Sequence, residues 1–211
     1  MADPQPDSDA PIREFLSALA SADAAQGAVS AAAVAGAMGT SLLLMVAALP
    51  TTRSGSTDER TALMGAAAAL GDVQEQLIET METETVVKVF AARNMPRASQ
   101  AQRSKREAAI QLALRAAADV PLEVIRLCAL GLKHAQVIAA SSSRAAGGEL
   151  ELAVALLRVG LNGARSNLEA RLSSLTDVVY TKAVVEEIAH LSEEATMAAR
   201  AAELSVQAPP A

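Results

Sequence analysis

The sequence has few aromatic residues: two Phe, one Tyr and no Trp among 211 residues. Its core must therefore be built from aliphatic side chains, and 51% of the chain is hydrophobic. Ala and Leu, which are abundant here, favour helices, and small side chains let helices pack at short interaxial distances. No stretch shows the strict alternation that is typical of a β-strand. The sequence predicts an all-α protein.

Cysteine is also scarce, and acidic residues outnumber basic ones. A single cysteine, Cys128, excludes an intrachain disulfide framework, and its neighbours Leu127 and Leu130 are typical of a buried cysteine rather than a nucleophile. The net charge of −6 disfavours a general nucleic-acid binder. Acidic residues stand near the N-terminus where a signal peptide would carry basic ones. These features predict a cytoplasmic protein with no nucleic-acid partner.

No charged residue occurs between Asp23 and Arg53, and within this run the segment 26–49 is apolar and small. Its length alone would allow a membrane span. Its first half, however, is mostly Ala, Gly and Ser, and its flanks carry no Trp or Tyr belt and no basic cluster. We therefore predict the central helix of a tight bundle, with no membrane partner. Ser30, which follows Gly27, is the predicted N-cap, and the amides it leaves at the helix start could bind polar ligand atoms. An ordinary N-cap without a functional role remains the alternative.

The rest of the chain predicts one helical domain, residues 11–204, between disordered ends at 1–10 and 205–211. Short connections favour an up-and-down bundle of long helices. In the sixth helix, apolar residues from Leu150 to Leu168 are spaced by threes and fours, as in a coiled coil. This seam predicts a homodimer, because exposed apolar surface usually marks an interface. The first predicted helix starts at Pro11, and the central helix lies within 26–49 and ends near Pro50. Further helices are predicted over 56–94 and 98–118, from Pro121, from Glu149, and over Asp177 to Leu204.

The sequence contains no catalytic triad, P-loop, dinucleotide fingerprint or metal-ligand cluster. His134 and His190 lie on separate predicted helices among aliphatic residues, which favours structural roles. Glu82 differs from the other carboxylates because Ile78 and Val86 flank it at a spacing of four residues. On a helix, such neighbours would partly desolvate the carboxylate and raise its pKa towards the range useful in acid–base catalysis. A solvated helix edge beside an apolar stripe is the alternative.

Several segments together carry a resemblance to a known family. They are Phe15–Ser21, Gln26–Gly39, Met45–Leu49, Val89–Arg97, Asp119–Val124, and Asn167 with Leu172–Asp177. In this order and spacing they resemble the cyclodeaminase/cyclohydrolase family, and the similarity covers about residues 12–200. Its members are the cyclodeaminase domain of formiminotransferase-cyclodeaminase and the bacterial methenyltetrahydrofolate cyclohydrolases, and the match is closest to those of methylotrophic bacteria.

Three departures from the family pattern are visible. The usual Gly-Gly-Gly-Ser is Gly27-Ala-Val-Ser30 here, so the backbone is less flexible while the serine is kept. The acidic residue of an Asp-x-x-x-Phe pattern falls on Glu82, with Val86 in place of the Phe. A Ser-Asp pair before the sixth helix falls on Gly148-Glu149. Both acids are thus one methylene longer than in the family pattern.

The resemblance implies hydrolysis of 5,10-methenyltetrahydrofolate to 10-formyltetrahydrofolate, with no metal and no cofactor other than the folate substrate itself. It implies Glu82 and Ser30 as catalytic residues. The substrate-binding residues it suggests are Gln26, Gly27, Arg53, Arg97, Glu149 and Asn167. The arginines could instead be solvated helix-end charges. A formimidoyltetrahydrofolate cyclodeaminase that releases ammonia, and a non-catalytic helical scaffold, are the alternatives.

Overall fold

The computed structural model describes residues 10–21, 27–50, 52, 56–80 and 85–207. Within these ranges the chain forms seven α-helices and one 3-10 turn, with no strand, which confirms the predicted all-α class. The helices are α1 (Ala10–Ala20), α2 (Ala28–Ala48), α3 (Thr57–Glu79), α4 (Thr85–Arg93), α5 (Gln100–Ser141), α6 (Gly147–Leu172) and α7 (Val178–Gln207), and the turn is Arg144–Ala146.

Helix α2 packs against α6 at nearly the closest distance that two backbones allow. A Cβ atom added to Gly39 would lie 2.8 Å from the carbonyl oxygen of Ala153, and one added to Gly160 would lie 2.8 Å from that of Ala32. Gly39, late in α2, therefore lies beside Ala153 in the first half of α6, and Ala32, early in α2, lies beside Gly160 in the second half. The two helices are antiparallel. This contact confirms that the uncharged run is a central helix of a tight bundle.

The opposite face of α2 is open. Met38 and Met45 are 53% and 43% exposed on it. Within the described part of the chain, α2 is the helix that is long and apolar enough to cross a membrane, with a mean hydropathy of 1.9. Its buried face, however, contacts α3, α5 and α6. Helix α2 thus has one packed face and one free apolar face.

Helices α5 and α7 run parallel and are joined by polar pairs at a spacing of seven residues. Each pair links a residue of α5 to the residue 61 positions later in α7. Because successive pairs are seven residues, or two turns, apart, they lie along one face of each helix. The Tyr180 hydroxyl donates to Asp119 Oδ1 at 2.6 Å, Arg126 Nε lies 2.6 Å from Glu187 Oε1, and Lys133 Nζ lies 3.0 Å from Glu194 Oε2.

The predicted apolar seam of α6 is buried inside the chain. Leu150 is 1% exposed, and Leu157 and Leu168 are fully buried. These side chains belong to the core formed with α2 and α5. The argument that the seam covers a second subunit is therefore wrong, and the homodimer stays a prediction without this support.

Two predicted helix boundaries are also wrong. The predicted break before Pro121 is absent, because α5 continues through this proline as a single helix of 42 residues. The predicted helix 56–94 is two helices, since α3 ends at Glu79 and the Thr80 amide caps it by bonding to the carbonyls of Gln76 and Ile78. The predicted start of this helix is confirmed: Ser56 and Glu59 form a reciprocal capping box.

Candidate functional site

One end of the bundle collects the first turn of α2, the middle of α5 and the last turns of α6. The Sγ atom of Cys128 in α5 would lie 2.8 Å from a Cβ atom added to Gly36 and 2.9 Å from one added to Gly160. These three residues, from α5, α2 and α6, therefore lie at the same height along the bundle. A Cβ on Gly163 would lie 3.3 Å from that of Ala32. Moving from this level towards the start of α2 leads towards Pro121 on α5 and Asn167 on α6. We call this region, residues 27–30, 117–122 and 167–171, the Ser30 end.

Ser30 does not cap α2 as predicted. Gly27 is the N-cap, with an extended backbone at φ −104° and ψ −169°, and the Ser30 amide donates to its carbonyl oxygen at 3.1 Å. The helix begins earlier than predicted because Gly27 takes the cap conformation without a side-chain bond. Ser30 therefore lies in the first turn, where it is 8% exposed. It is a buried hydroxyl at a helix start, and its catalytic role stays a prediction.

Arg171 is a residue of this region that sequence reasoning missed. Its Nη1 donates to the carbonyl oxygen of Ala117 at 2.9 Å, and its Nε donates to Asn167 Oδ1 at 2.7 Å. Pro121 has no N–H, so the carbonyl four residues earlier, that of Ala117, loses its helical donor. The guanidinium supplies the missing donor. A proline inside a helical pattern is the sequence signal that such a donor is needed.

The same contacts bear on Asn167, predicted to bind substrate. Its Oδ1 is engaged by Arg171, so it has a structural role in holding α6 to α5. Burial lowers the pKa of the Arg171 guanidinium. It stays ionised because an arginine starts far above neutral pH. The Ser30 end therefore contains a fixed positive charge.

A cavity of about 250 Å³ lies beside this charge. Its wall is mainly apolar, and two arginine residues contribute to it. Phe90, at its edge, is 69% exposed although it is one of only two phenylalanines in the sequence. We call it the Phe90 cavity, and it is lined by Val89, Phe90, Arg93, Leu114, Ala117 and Arg171.

Arg97 belongs to a second, more polar cavity of about 600 Å³ at the start of α5. A hydrogen-bonded pair connects the linings of the two cavities. Arg106, which lines the second cavity, donates from Nε and Nη2 to the carbonyl oxygen of Arg93, which lines the Phe90 cavity, at 3.0 and 2.9 Å. Lys105, which lies between Arg103 and Arg106 in the sequence, is exposed and is not part of the lining. The cavity is lined by Arg97, Gln100, Arg103, Ser104, Arg106 and Glu107.

Glu149 is not brought to the Ser30 end. It lies in the first turn of α6 and is exposed, whereas Asn167 lies near the end of the same helix. The 18 residues between them span about 27 Å at 1.5 Å per residue. Within one chain, Glu149 and Ser30 are therefore at opposite ends of the bundle.

Glu82, Gln26 and Arg53 lie outside the described residues. Glu82 was predicted to lie on a helix with Ile78 and Val86 as its apolar neighbours. Helix α3 ends at Glu79, before Glu82, and Ile78 is 49% exposed. Helix α3 nevertheless leads towards the Ser30 end. Gln74 Nε2 donates to Ser41 Oγ at 2.6 Å and Leu77 lies beside Gly36, so α3 runs antiparallel to α2.

Carboxylate, histidine and cysteine side chains are scattered through the chain. The residues that the structure describes hold no group of three or more of them close enough to bind a metal ion. At the Ser30 end, the described residues supply a buried hydroxyl, a fixed guanidinium, helix-start amides and an adjoining apolar cavity.

The sequence is similar to those of known proteins. The chain is 27% identical to methenyltetrahydrofolate cyclohydrolase of Methylorubrum extorquens over 186 residues, which are 87% of this chain and 89% of that protein. It is 28% identical to formimidoyltransferase-cyclodeaminase of Sus scrofa over 193 residues, which are 88% of this chain but only 35% of the pig protein.

The fold has a solved counterpart in formiminotetrahydrofolate cyclodeaminase of Thermotoga maritima. The two structures superpose with a TM-score of 0.81 over 93% of this chain and 95% of the other, at 20% sequence identity. The family model of formiminotransferase-cyclodeaminase matches residues 11–190, which is most of the sequence. The chain therefore belongs to the formiminotransferase-cyclodeaminase family.

Proposed function

We propose that this protein is a methenyltetrahydrofolate cyclohydrolase, which hydrolyses 5,10-methenyltetrahydrofolate to 10-formyltetrahydrofolate. One observation carries the proposal. The similarity to the cyclohydrolase of Methylorubrum extorquens extends over 87% of this chain and 89% of that protein. The two chains therefore correspond over nearly their whole lengths, at 27% identity.

The chemistry needs one group that accepts and then returns a proton. Water adds to the bridging carbon, which is electrophilic because it belongs to an amidinium, and one proton of the water passes to a general base. The bond between this carbon and N5 then breaks as the proton is delivered to N5, and the proton of the added hydroxyl leaves to solvent as the C=O forms. The carbon remains on N10 as a formyl group. The substrate supplies its own electrophile, so the proposed steps need no metal or other cofactor.

Glu82 is our candidate for this acid–base group. It occupies the position of the acidic residue in the family pattern, and it follows α3, the helix that leads to the Ser30 end. Ser30 would position the attacking water or the pterin, since its hydroxyl is buried in the first turn of α2. Substrate contacts are proposed for Gln26, Gly27, Arg53, Arg97 and Asn167. Glu149 could join the same site only from a second copy of the chain.

A cyclodeaminase is the second candidate, favoured by the fold shared with the Thermotoga maritima enzyme. That reaction closes a ring and expels ammonia from a formimidoyl group, whereas the cyclohydrolase opens a ring with water. The purified protein should be given 5,10-methenyltetrahydrofolate and 5-formimidoyltetrahydrofolate separately, each beside an enzyme-free control at the same pH and buffer. Loss of methenyl absorbance above the control, without ammonia from the other substrate, supports the proposal.

Ammonia release with no acceleration of methenyl hydrolysis would reassign the protein as a cyclodeaminase. Turnover of neither substrate would favour the non-catalytic scaffold. We also propose a cytoplasmic homodimer. Light scattering that gives the mass of a single chain at micromolar concentration would contradict the dimer.

A further inference from the structure

The Phe90 cavity is not explained by the needs of the fold. Phe90 is 69% exposed, although aromatic side chains in an aromatic-poor protein are most useful in the core. Leu114 and Ala117 form the opposite wall. Two arginines, Arg93 and Arg171, are among the residues that line the same cavity. Apolar walls with a few fixed charges are typical of a ligand site.

The size of the cavity limits what it can bind. Pockets that enclose a whole drug-sized ligand measure about 300–1,000 Å³, and this cavity measures about 250 Å³. It therefore suits one ring system of a longer ligand, with the remainder outside. A ring placed there could contact Phe90 and the side chain of Arg171, whose guanidinium is held by two hydrogen bonds.

The position of the cavity fits the middle of such a ligand. Ala117 is four residues from Pro121 along α5, which is about 6 Å towards the Ser30 end. In the other direction, Leu114 is eight residues from Arg106, which is about 12 Å towards the arginine-lined cavity. The order along α5 is thus the Ser30 end, the apolar cavity and then the arginines.

Methenyltetrahydrofolate has the same order of chemical groups. Its reacting carbon joins the pterin to N10, N10 is attached to the p-aminobenzoyl ring, and the ring carries the glutamate carboxylates. We infer that the Phe90 cavity binds the p-aminobenzoyl ring, with the glutamate directed towards Arg93 and Arg97. This inference rests on the proposed function for the identity of the ligand. It assigns Phe90 and Leu114 as binding residues and Arg93 as the first partner of a carboxylate.

The test uses p-aminobenzoyl-L-glutamate as a probe, because its binding requires no turnover. Calorimetry should compare the wild-type protein with Phe90→Ala, with Leu114→Trp, which fills the cavity, and with Met197→Ala as a control. Met197 is similarly exposed, at 68%, but lies on α7. We expect Phe90→Ala to raise the Kd about tenfold or more through loss of an aromatic contact, Leu114→Trp to weaken binding further, and Met197→Ala to bind normally. L-glutamate alone should bind more weakly and be insensitive to Phe90→Ala.

The outcomes separate this inference from the proposed function. Wild-type turnover of methenyltetrahydrofolate, together with unchanged probe binding by folded Phe90→Ala and Leu114→Trp, would overturn the ring site and leave the cyclohydrolase proposal standing. Probe binding that depends on Phe90, in a protein without turnover, would support the ring site and reject the cyclohydrolase. A wild-type protein that does not bind the probe at all would overturn the inference. Circular dichroism of each variant shows that the fold is kept.

Discussion

Arg171 Nη1 donates a hydrogen bond to the carbonyl oxygen of Ala117 at 2.9 Å, the carbonyl that Pro121 leaves without its helical donor. The bond is made between helices, so it both completes α5 and ties α6 to it at the Ser30 end. Asn167 fixes the guanidinium through a second bond of 2.7 Å. The proline is therefore tolerated inside a 42-residue helix because Arg171, 50 positions after it in the sequence, donates to the carbonyl of Ala117.

This relationship predicts a coupling between Arg171 and Pro121. Arg171→Met should lower the free energy of unfolding by about 1–3 kcal/mol, because it leaves a buried carbonyl without a partner. In a Pro121→Ala background the cost should be clearly smaller, since an alanine at position 121 has an N–H that can donate to Ala117. Urea unfolding of the four proteins in the cycle measures this difference, and effects of the proline on the unfolded chain cancel. Equal costs in both backgrounds would contradict the assignment.

The close approach of α2 and α6 gives a second prediction. Gly160→Ala would place a methyl group 2.8 Å from a backbone carbonyl, which cannot move aside independently, so stability should fall by about 1–3 kcal/mol. Gly65→Ala is the matched control, because nothing lies within 4 Å of its added Cβ. In this interior position of α3 it should stabilise the protein by about 0.4–1 kcal/mol. Thermal melts of both variants give the comparison. Similar shifts in the same direction would be inconsistent with direct backbone contact.

The sequence predicted those parts of the fold that depend on local signals. The Ser56–Glu59 capping box and the end of α2 before Pro50 follow from residues that lie next to each other in the chain. Pro121 was misinterpreted because its partner, Arg171, is distant in sequence. The apolar face of α6 was assigned to a dimer interface for a related reason. A spacing of three and four residues predicts that one face of a helix is buried, but not whether the same chain or a second chain buries it.

The candidate site was less accessible from sequence than the fold. Family resemblance brought Ser30 and Asn167 into the prediction, and the helix directions place both at one end of the bundle. Glu149 was grouped with them although about 27 Å of helix separates it from Asn167. The Phe90 cavity was missed because it forms between three helices, and no spacing within one helix indicates it.

Cys128 gives a third prediction, about reactivity and pH. The thiol is fully buried, and burial raises its pKa from 9.0 to about 12. The native protein should therefore react with a thiol reagent only as fast as it opens, whereas the urea-unfolded protein should react at once. Between about pH 9 and pH 12 the unfolded chain loses a proton that the folded one keeps, so the free energy of unfolding should fall as pH rises. Stoichiometric labelling of the native protein within the mixing time would contradict this burial.

The arginine-lined cavity gives a fourth prediction. Its positive charges should attract the anionic glutamate tail of the folate, and added salt should screen the attraction. Arg97→Glu should raise the KM for a polyglutamylated substrate and flatten its dependence on ionic strength. Arg200→Glu, an exposed change on α7, is the control and should leave both unaffected. A KM that is indifferent to salt and to the charge at position 97 would remove this role.

The most direct test of the proposed chemistry is the rate of methenyltetrahydrofolate hydrolysis by Glu82→Gln. The amide keeps the size of the side chain but cannot exchange a proton at neutral pH, so kcat should fall about 10²–10⁴-fold with KM changed much less. Glu84→Gln, two residues along, is the matched control and should be mild. All rates must be corrected for hydrolysis without enzyme. Near-normal turnover by Glu82→Gln, with loss of activity in Glu84→Gln or Glu149→Gln, would show that the acid–base group is a different carboxylate.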